Sequence, residues 1–594
     1  MSLSPSAELP VDITARKIAY FSMEIALAKA LPTYSGGLGM LAGDTLRSAA
    51  DTGAPMVAVS LVHRRGYFRQ HLDAAGNQTE TDVPWSPEEL PAAPRTITLQ
   101  LQNRELTIRA WRFDVVGHSG HIIPVFLLDT DVEGNDPWDR RLTDHLYGGD
   151  TYYRLCQEAV LGLGGIHLLH AMGCQPEVCH MNEGHASLLT VGLLEARLAP
   201  SPLGAATDAD AEAVKQQCVF TTHTPVPAGH DKFGLDQMVN VLGHARAAVI
   251  DRFGALHNNL LNMTYLALRF CRYVNGVAMQ HGKVSQQMFP EVHVHAITNG
   301  VHAATWLAPH MQQLFDDEIP EWRADNNYLR SVYGIAPQVV AAAHAHGQQR
   351  LFDTVAERTG TVLDPSLLTL GFARRVATYK RLTLLFREPQ RLVEIAARIG
   401  GLQILIAGKA HPADNAGKDL IREVFADAAR LNDTHLKILY LENYDWELGE
   451  QLTGGVDVWL NTPLRPYEAS GTSGMKAAMN GVPSLSVLDG WWIEGAAQGV
   501  TGWSIPDLDD EAAEADALYT NLEHAIAPLF ADKPRWAEMQ RHCIAMNGSF
   551  FNTHRMLAQY VANAYFPSEA LFAAIGQELG GDALDDAARQ VVLA

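Results

Sequence analysis

The most regular feature of this 594-residue chain is a set of short apolar runs set apart by polar, glycine-containing stretches. In the first half, residues 17–22 and 54–62 have the unbroken apolar character of strands buried on both faces. Between them, residues 40–52 carry helical spacing after the run Gly36-Gly-Leu-Gly39. Residues 96–129 alternate like paired strands, with Asn103 at the turn. A helical pattern covers 150–171, and 177–181 and 218–222 read as short strands. In the second half, strands are predicted at 368–372, 403–407, 436–441, 456–460 and 484–487, with helical segments between them. Such alternation predicts a doubly wound parallel sheet, which binds ligands beyond the carboxyl ends of its strands. A last strong helix is predicted over 553–565. The alanine-rich patches at 205–213 and 512–517 read as solvated helices or loops. No internal repeat or low-complexity tract appears.

A chain of this length exceeds one hydrophobic core. The predicted division is an α/β domain over 1–302, a Rossmann-like domain over 303–545, and a helical segment over 546–594 that packs back on the first domain. The net charge is −22, from 45 basic and 67 acidic residues, which argues against general binding to nucleic acid or an anionic membrane. Any anion site must be a local concentration of cations. The six cysteines form no CxxC pair and read as reduced. With no secretory signal and no apolar run long enough to span a bilayer, the expected location is the cytoplasm.

Chemistry concentrates in Glu468-Ala-Ser470-Gly471-Thr472-Ser473-Gly474-Met-Lys476. Small residues before a helix let backbone N–H groups approach an anion. Lys476 then suits either a Schiff base or a plain cation. Alone, the run reads equally as a loop with an N-cap. A second segment, Gly371-Phe-Ala-Arg374-Arg375-Val-Ala-Thr-Tyr379-Lys380-Arg381, sets four cations behind a predicted strand, as phosphate recognition requires. Its bland reading is a solvated helix face. Gly36–Gly39 reads as a tight turn or an anion cradle. His223 ends a predicted strand. Asn182-Glu-Gly-His185 and Thr298-Asn299-Gly-Val-His302 have the amides and imidazoles that grip hydroxyls. His293, His295 and His302 recur, but no closed ligand set stands out, and no metal is expected.

In their order and spacing these segments, over residues 18–495, resemble the α-glucan (glycogen, starch, maltodextrin) phosphorylases, and most of all the short bacterial ones. The resemblance implies two doubly wound Rossmann-like domains facing a cleft, the GT-B type glycosyltransferase fold. It implies an enzyme that splits an α-1,4-glucan or maltodextrin with inorganic phosphate and releases glucose 1-phosphate with retained configuration. The cofactor it implies is pyridoxal 5'-phosphate on Lys476, whose phosphate relays a proton to the substrate phosphate. On the same basis Arg374, Gly471, Thr472, Ser473, Gly474 and Tyr444 surround the cofactor, and Arg375 and Lys380 hold the substrate phosphate. The backbone near Gly37 and Leu38 meets that phosphate, and the His223 carbonyl stabilises positive charge on the sugar. Asn299, Glu468, Ser470, Gly471, His185 and Tyr379 face the glucan. Gly408-Lys409-Ala-His-Pro resembles a turn that supports the cofactor pocket.

Two positions depart from the larger members. Arg374 stands for a lysine, and Asp445 stands where they carry arginine, which bears on the contacts of Tyr444. The start of the chain close to its first strand predicts no long regulatory extension and no phosphorylation switch. A homodimer is compatible with the resemblance. Two other readings share the fold or its sugar site: a nucleotide-sugar glucosyltransferase, with Lys476 on a diphosphate, and an inactive glucan-binding protein.

Overall fold

Strands Ile18–Ser22 and Met56–Leu61 are buried along their whole length, as their apolar runs require. The computed structural model describes residues 12–226, 229–508 and 510–567. Pro227 of the loop after His223, and the predicted segments' residues 1–11 and 568–594, lie outside the described residues. The two strands sit at the middle of a nine-stranded sheet. In spatial order its strands are His295–Ala296, Tyr273–Gly276, Cys218–Thr221, Val178–Asn182, Ile18–Ser22, Met56–Leu61, Ile122–Asp129, Arg104–Val116 and Ile97–Leu101. Pairing is parallel except for the last two strands. The chain first fills the side beyond Met56–Leu61, going to the edge at Ile97–Leu101 and coming back inward to Ile122–Asp129, then fills the other side from Val178. The order reverses between those two strands, where Asn182 Nδ2 donates to Ser22 Oγ at 3.1 Å.

The second sheet has six strands, all parallel, in the order Leu436–Leu441, Leu402–Ala407, Leu368–Ala373, Val458–Asn461, Ser484–Val487, Gly502–Ile505. Numbered along the chain this is 3-2-1-4-5-6, the doubly wound dinucleotide-fold order. Its switch point lies between Leu368–Ala373 and Val458–Asn461. The fold is therefore two doubly wound α/β units, as the resemblance implies.

Alternate residues on the central strands feed opposite layers of core. Ala19 and Phe21 pack on one side of the first sheet, Ile18 and Tyr20 on the other. The second of these layers is closed by the helix Thr553–Tyr560 and the turn Val561–Tyr565, through Met556, Leu557, Tyr560 and Tyr565. Tyr560 and Tyr565 are also fixed by polar contacts: His180 Nδ1 lies 2.7 Å from the Tyr565 hydroxyl, and Asn275 Nδ2 donates to that of Tyr560 at 3.0 Å. The end of the described chain thus lies on the first sheet.

The strand predictions hold for the longer runs. The short strands Tyr273–Gly276, His295–Ala296 and Gly502–Ile505 escaped because two to four residues, two of the three strands glycine-containing, show no period. The hairpin Arg69–Leu72 with Gln78–Thr81 also escaped. Its apolar content is low because it serves as an arm between lobes: Gln70 Nε2 donates to the Gly408 carbonyl at 2.9 Å, and Gln78 Nε2 to that of Ala410 at 2.8 Å. Lys29 and Arg350 converge on Glu450 to add a second contact between the lobes. Among the described residues no helix is long and apolar enough to cross a membrane.

The path between lobes is tight at Gly300. A Cβ built there would lie 2.2 Å from the Asn552 carbonyl group, beside the Val301–Asn552 bridge. Gly300→Ala is expected to lower stability by about 1–3 kcal/mol. Gly204→Ala, where a Cβ meets nothing within 4 Å, is expected to stay within about 0.5 kcal/mol of the parent. Urea denaturation of the two variants measures the difference.

Candidate active site

The cationic segment leaves strand Leu368–Ala373 at the second sheet's switch point. A short turn over Thr378–Lys380 follows, and Arg381 closes it in the left-handed region at φ 48°. Arg381 is tied to the Thr462 and Pro463 carbonyls, 3.0 and 2.9 Å away, and to Glu514. It is an anchor, and so stands apart from the other cations. Lys380 is buried and donates to Glu468 Oε2 at 2.6 Å; Arg374 Nη2 donates to the same oxygen at 3.0 Å. Arg374 Nη1 is buried with no partner among the described residues. Burial pushes the Glu468 carboxyl up, but Lys380 and Arg374 outweigh it and hold the group below the usual range. Asp489 accepts from the Glu468 and Gly490 backbone N–H groups, and burial with Glu468 close by raises it to about 6.

Across the switch point, helix Thr472–Met479 starts at Gly471, which takes φ 86°, and no side chain caps it. Its first N–H groups are therefore available to an anion. Ser473 Oγ accepts from Trp459 Nε1 at 3.1 Å, and Ser470 Oγ is buried without a partner. Gly474 presses on Trp491, where a Cβ would come within 2.8 Å of the ring. Lys476, the fifth residue of the helix, is buried with its Nζ 3.4 Å from the centroid of the Trp306 ring. Burial lowers its pKa to about 8, against the opposing pull of Asp44. At pH 7 about one such amine in ten is neutral, against fewer than about one in a thousand for an ordinary lysine.

The facing wall belongs to the first lobe. Gly37 is the first residue of helix Gly37–Asp51, so the predicted loop is helical from its second glycine onward. The cause is packing: a Cβ on Gly39 would lie 2.7 Å from Glu24 Oε2, and one on Gly43 2.2 Å from the Ala26 carbonyl oxygen. Gly37 is exposed and Leu38 half-buried on the uncapped first turn. Glu24 steadies this end, accepting from the Ser35 and Gly36 N–H groups at 2.5 and 3.2 Å and from the Tyr147 hydroxyl at 2.8 Å. Tyr147, Tyr67 and Tyr379 in turn surround Arg375. Arg375 is exposed, and its guanidinium is hydrogen-bonded to Tyr379.

The remaining predicted residues divide. His185 lies beside Tyr147, ring centroids 5.9 Å apart, and 3.4 Å from Asp231; burial, with Arg154 near, lowers it to about 4. His223 Nε2 lies 2.6 Å from Asn182 Oδ1, so it is the donor; burial lowers the ring to about 3. Its backbone N–H is held by Glu183 at 2.7 Å. Asn299 is buried with its amide oxygen unpartnered, and its carbonyl accepts from Arg555 at 2.9 Å. Tyr379 lies under Lys380 Nζ, 4.5 Å from the ring centroid. Tyr444 has Arg374 and Asp445 as its charged neighbours, and Asp445 accepts from the Leu448 N–H and caps the next helix. Lys409 Nζ donates to the Phe68 carbonyl at 3.1 Å, between lobes.

Residues 240–500 match the family model described as carbohydrate phosphorylase. Over 93% of its length the chain is 40% identical to a glycogen phosphorylase of Mycobacterium tuberculosis, covering 71% of that protein. The chain belongs to the carbohydrate phosphorylase family. A maltodextrin phosphorylase of Thermococcus litoralis is 38% identical over 94% of the chain and 71% of its own length. A glycogen phosphorylase of Aquifex aeolicus is 32% identical over 93% and 87%.

Sequence reasoning missed Glu24, Tyr147, Asp44 and Trp306 as parts of this phosphorylase-family cleft. Glu24 had a signal, since it follows a buried strand at a switch point. Tyr147 had none, because it sits in an irregular stretch at φ 56°. The depressed Lys476 sets a testable reactivity. In protein freed of bound aldehyde, borohydride trapping of a small aldehyde on Lys476 is expected to reach half its maximal rate near pH 8. Surface lysines lag by about two units. Peptide mass mapping across pH measures both.

Proposed function

We propose that the chain is an α-1,4-glucan phosphorylase that uses inorganic phosphate to release α-D-glucose 1-phosphate from glucan ends, with retention. One observation carries this reading: the helix that starts uncapped at Gly471 carries the buried, weakly basic Lys476, and Glu468, three residues before that start, gathers Arg374 and Lys380. Pyridoxal 5'-phosphate fits the residues present. Lys476 offers a reactive amine, while the unpartnered Arg374 Nη1 and Ser470 Oγ and the free N–H groups after Gly471 suit its polar groups. When bound, it supplies an ionisable phosphate as acid–base partner to the substrate phosphate.

The substrate phosphate is held by Arg375 and Lys380 from one lobe and by the helix start at Gly37 and Leu38 from the other. Arg374, Arg375 and Lys380 outnumber the neighbouring carboxylates Glu468 and Asp489, so the local charge is positive, as a phosphate dianion requires. The glucan lies against Asn299, Glu468, Ser470, Gly471, His185 and Tyr379, and the His223 carbonyl faces the charge that develops on the sugar. The substrate phosphate protonates the glycosidic oxygen and then attacks the anomeric carbon from the same face. The neighbouring carboxyls support this assignment of the acid. Glu468 is held ionised by two cations, and both oxygens of Asp489 are engaged by backbone N–H groups, so neither is a free proton donor of the glycosidase kind. A cytoplasmic location belongs to the same reading.

The test is phosphate-dependent release of glucose 1-phosphate from maltodextrin. Wild-type protein is expected to be active, and Lys476→Ala inactive with an unchanged circular dichroism spectrum. Arg375→Ala is expected to lower kcat/KM for phosphate by about 10²–10³-fold. A protein that transfers glucose from a nucleotide sugar and ignores phosphate would overturn the reading.

A further inference from the structure

The helix that begins at Gly37 ends at Asp51, and there the carboxylate meets two imidazoles from distant parts of the chain. His302 Nε2 lies 2.8 Å and His554 Nε2 3.3 Å from the same oxygen, Asp51 Oδ2. The donor atoms of the three residues all lie within 4.8 Å of one another. Both histidines are buried, and Asp51 is half-buried. The other ring nitrogen of His302 lies 2.7 Å from Thr305 Oγ1, a contact that fixes the ring as outer partners of metal-binding histidines do. On the solvent side, His118 donates its backbone N–H to Asp51 Oδ1 at 2.8 Å, and its Nδ1 stands 3.5 Å from that oxygen.

We propose that Asp51, His302 and His554, completed by His118 from the solvent side, bind one divalent transition-metal ion, with zinc favoured, as a structural staple between the lobes. Three imidazoles and one carboxylate make a borderline donor set that suits zinc. Bonds of about 2.0–2.2 Å in a tetrahedral site put ligand atoms roughly 3.3–3.6 Å apart; His554 Nε2, at 3.3 Å from Asp51 Oδ2, meets that spacing, and His302 Nε2, at 2.8 Å, has to move out by about half an ångström when the ion enters. A half-exposed edge at His118 gives the ion a way in. The site also lies at the carboxyl end of a fifteen-residue helix, where the backbone carbonyls favour a cation.

Its position gives it a consequence. His302 follows Val301, which bridges to Asn552, and His554 opens the helix that returns to the first sheet. Both passages of the chain between lobes are thus held to the helix whose other end faces the cleft. An ion here fixes the angle at which that helix start meets Arg375 without touching the substrate. The proposed ligands come from four separated segments, so no local pattern in the sequence announces them.

The test uses the full-length protein, stripped with a chelator and titrated with Zn²⁺ by calorimetry, and with Co²⁺ by visible absorption. The expected result is one equivalent bound, an intense four-coordinate cobalt spectrum, and a raised thermal midpoint. Asp51→Asn and His554→Gln are each expected to weaken zinc binding by about 100-fold, and His118→Ala by about tenfold. Failure of the stripped protein to take up stoichiometric zinc overturns the proposal. So does undiminished binding by a folded Asp51→Asn/His554→Gln double variant. Should the variants not fold, X-ray absorption of zinc-loaded wild-type protein decides: an imidazole-rich shell supports the site, and a shell without imidazole overturns it.

Discussion

A single carboxylate oxygen organises the cleft. Glu468 Oε2 receives both Lys380 and Arg374, and all three groups are largely withdrawn from water. Unpaired, any one would be costly to bury, and removing one partner of such a set typically costs about 3–5 kcal/mol. The pair of contacts also has a geometric effect. It joins the loop after Leu368–Ala373 to the loop after Val458–Asn461, the two strands that flank the switch point. The cations cannot fold back on the surface, and Glu468 cannot satisfy them fully. Arg374 Nη1 is left over, and Arg375 meets the Tyr379 hydroxyl but no carboxylate among the described residues. Those leftovers make an acidic chain locally cationic.

The first lobe solves the matching problem with the opposite materials. There the carboxylate beyond the switch point is Glu24, and it gathers backbone N–H groups from Ser35 and Gly36. This sets the start of helix Gly37–Asp51 toward the cleft, with the N–H groups of its first turn unclaimed by side chains. Tyr147 joins the halves, donating its hydroxyl to Glu24 while its ring lies near Arg375. The two carboxylates are both spent on positioning, one on cations and one on amides. What they present between them is donors only, from both sides, which is what a phosphate needs and what a neutral sugar does not.

The parts of this arrangement that could be read from sequence are those with a local cause. Strands buried on both faces announce themselves as apolar runs, and the residues just beyond them are where such sheets bind ligands, so Arg374, Arg375, Lys380, Glu468 and Lys476 could be singled out as candidates. Asp445 was legible as a departure but not as a helix cap, since that role depends on where the helix starts. Glycines were misread in one place: Gly37 and Gly39 looked like loop, but Gly39 and Gly43 are needed because Glu24 and Ala26 press on the helix. Tyr147, Asp44 and Trp306 were beyond reach, because their roles arise only when segments far apart in sequence are packed together. The Asp51 cluster is the extreme case, its four members sharing no segment at all.

Trp306 shows why neither lobe is sufficient alone. Lys476 belongs to the second sheet's switch point, yet its amine rests on the ring of Trp306, and its one opposing charge is Asp44, from the first lobe's helix. Trp306 is itself fixed from both sides. Its Nε1 donates to Asp44 Oδ2 at 2.7 Å, and its carbonyl accepts from Asn480 Nδ2 at 2.8 Å, one turn beyond Lys476. Remove the first lobe and the amine loses its counter-charge Asp44, and the Trp306 ring over it loses the hydrogen bond that fixes it; water returns, and the pKa of the amine moves back toward that of a free lysine. The depressed basicity is therefore a property of the assembled pair of lobes. A helix from one lobe supplies the amine, and a helix from the other sets how readily that amine gives up its proton.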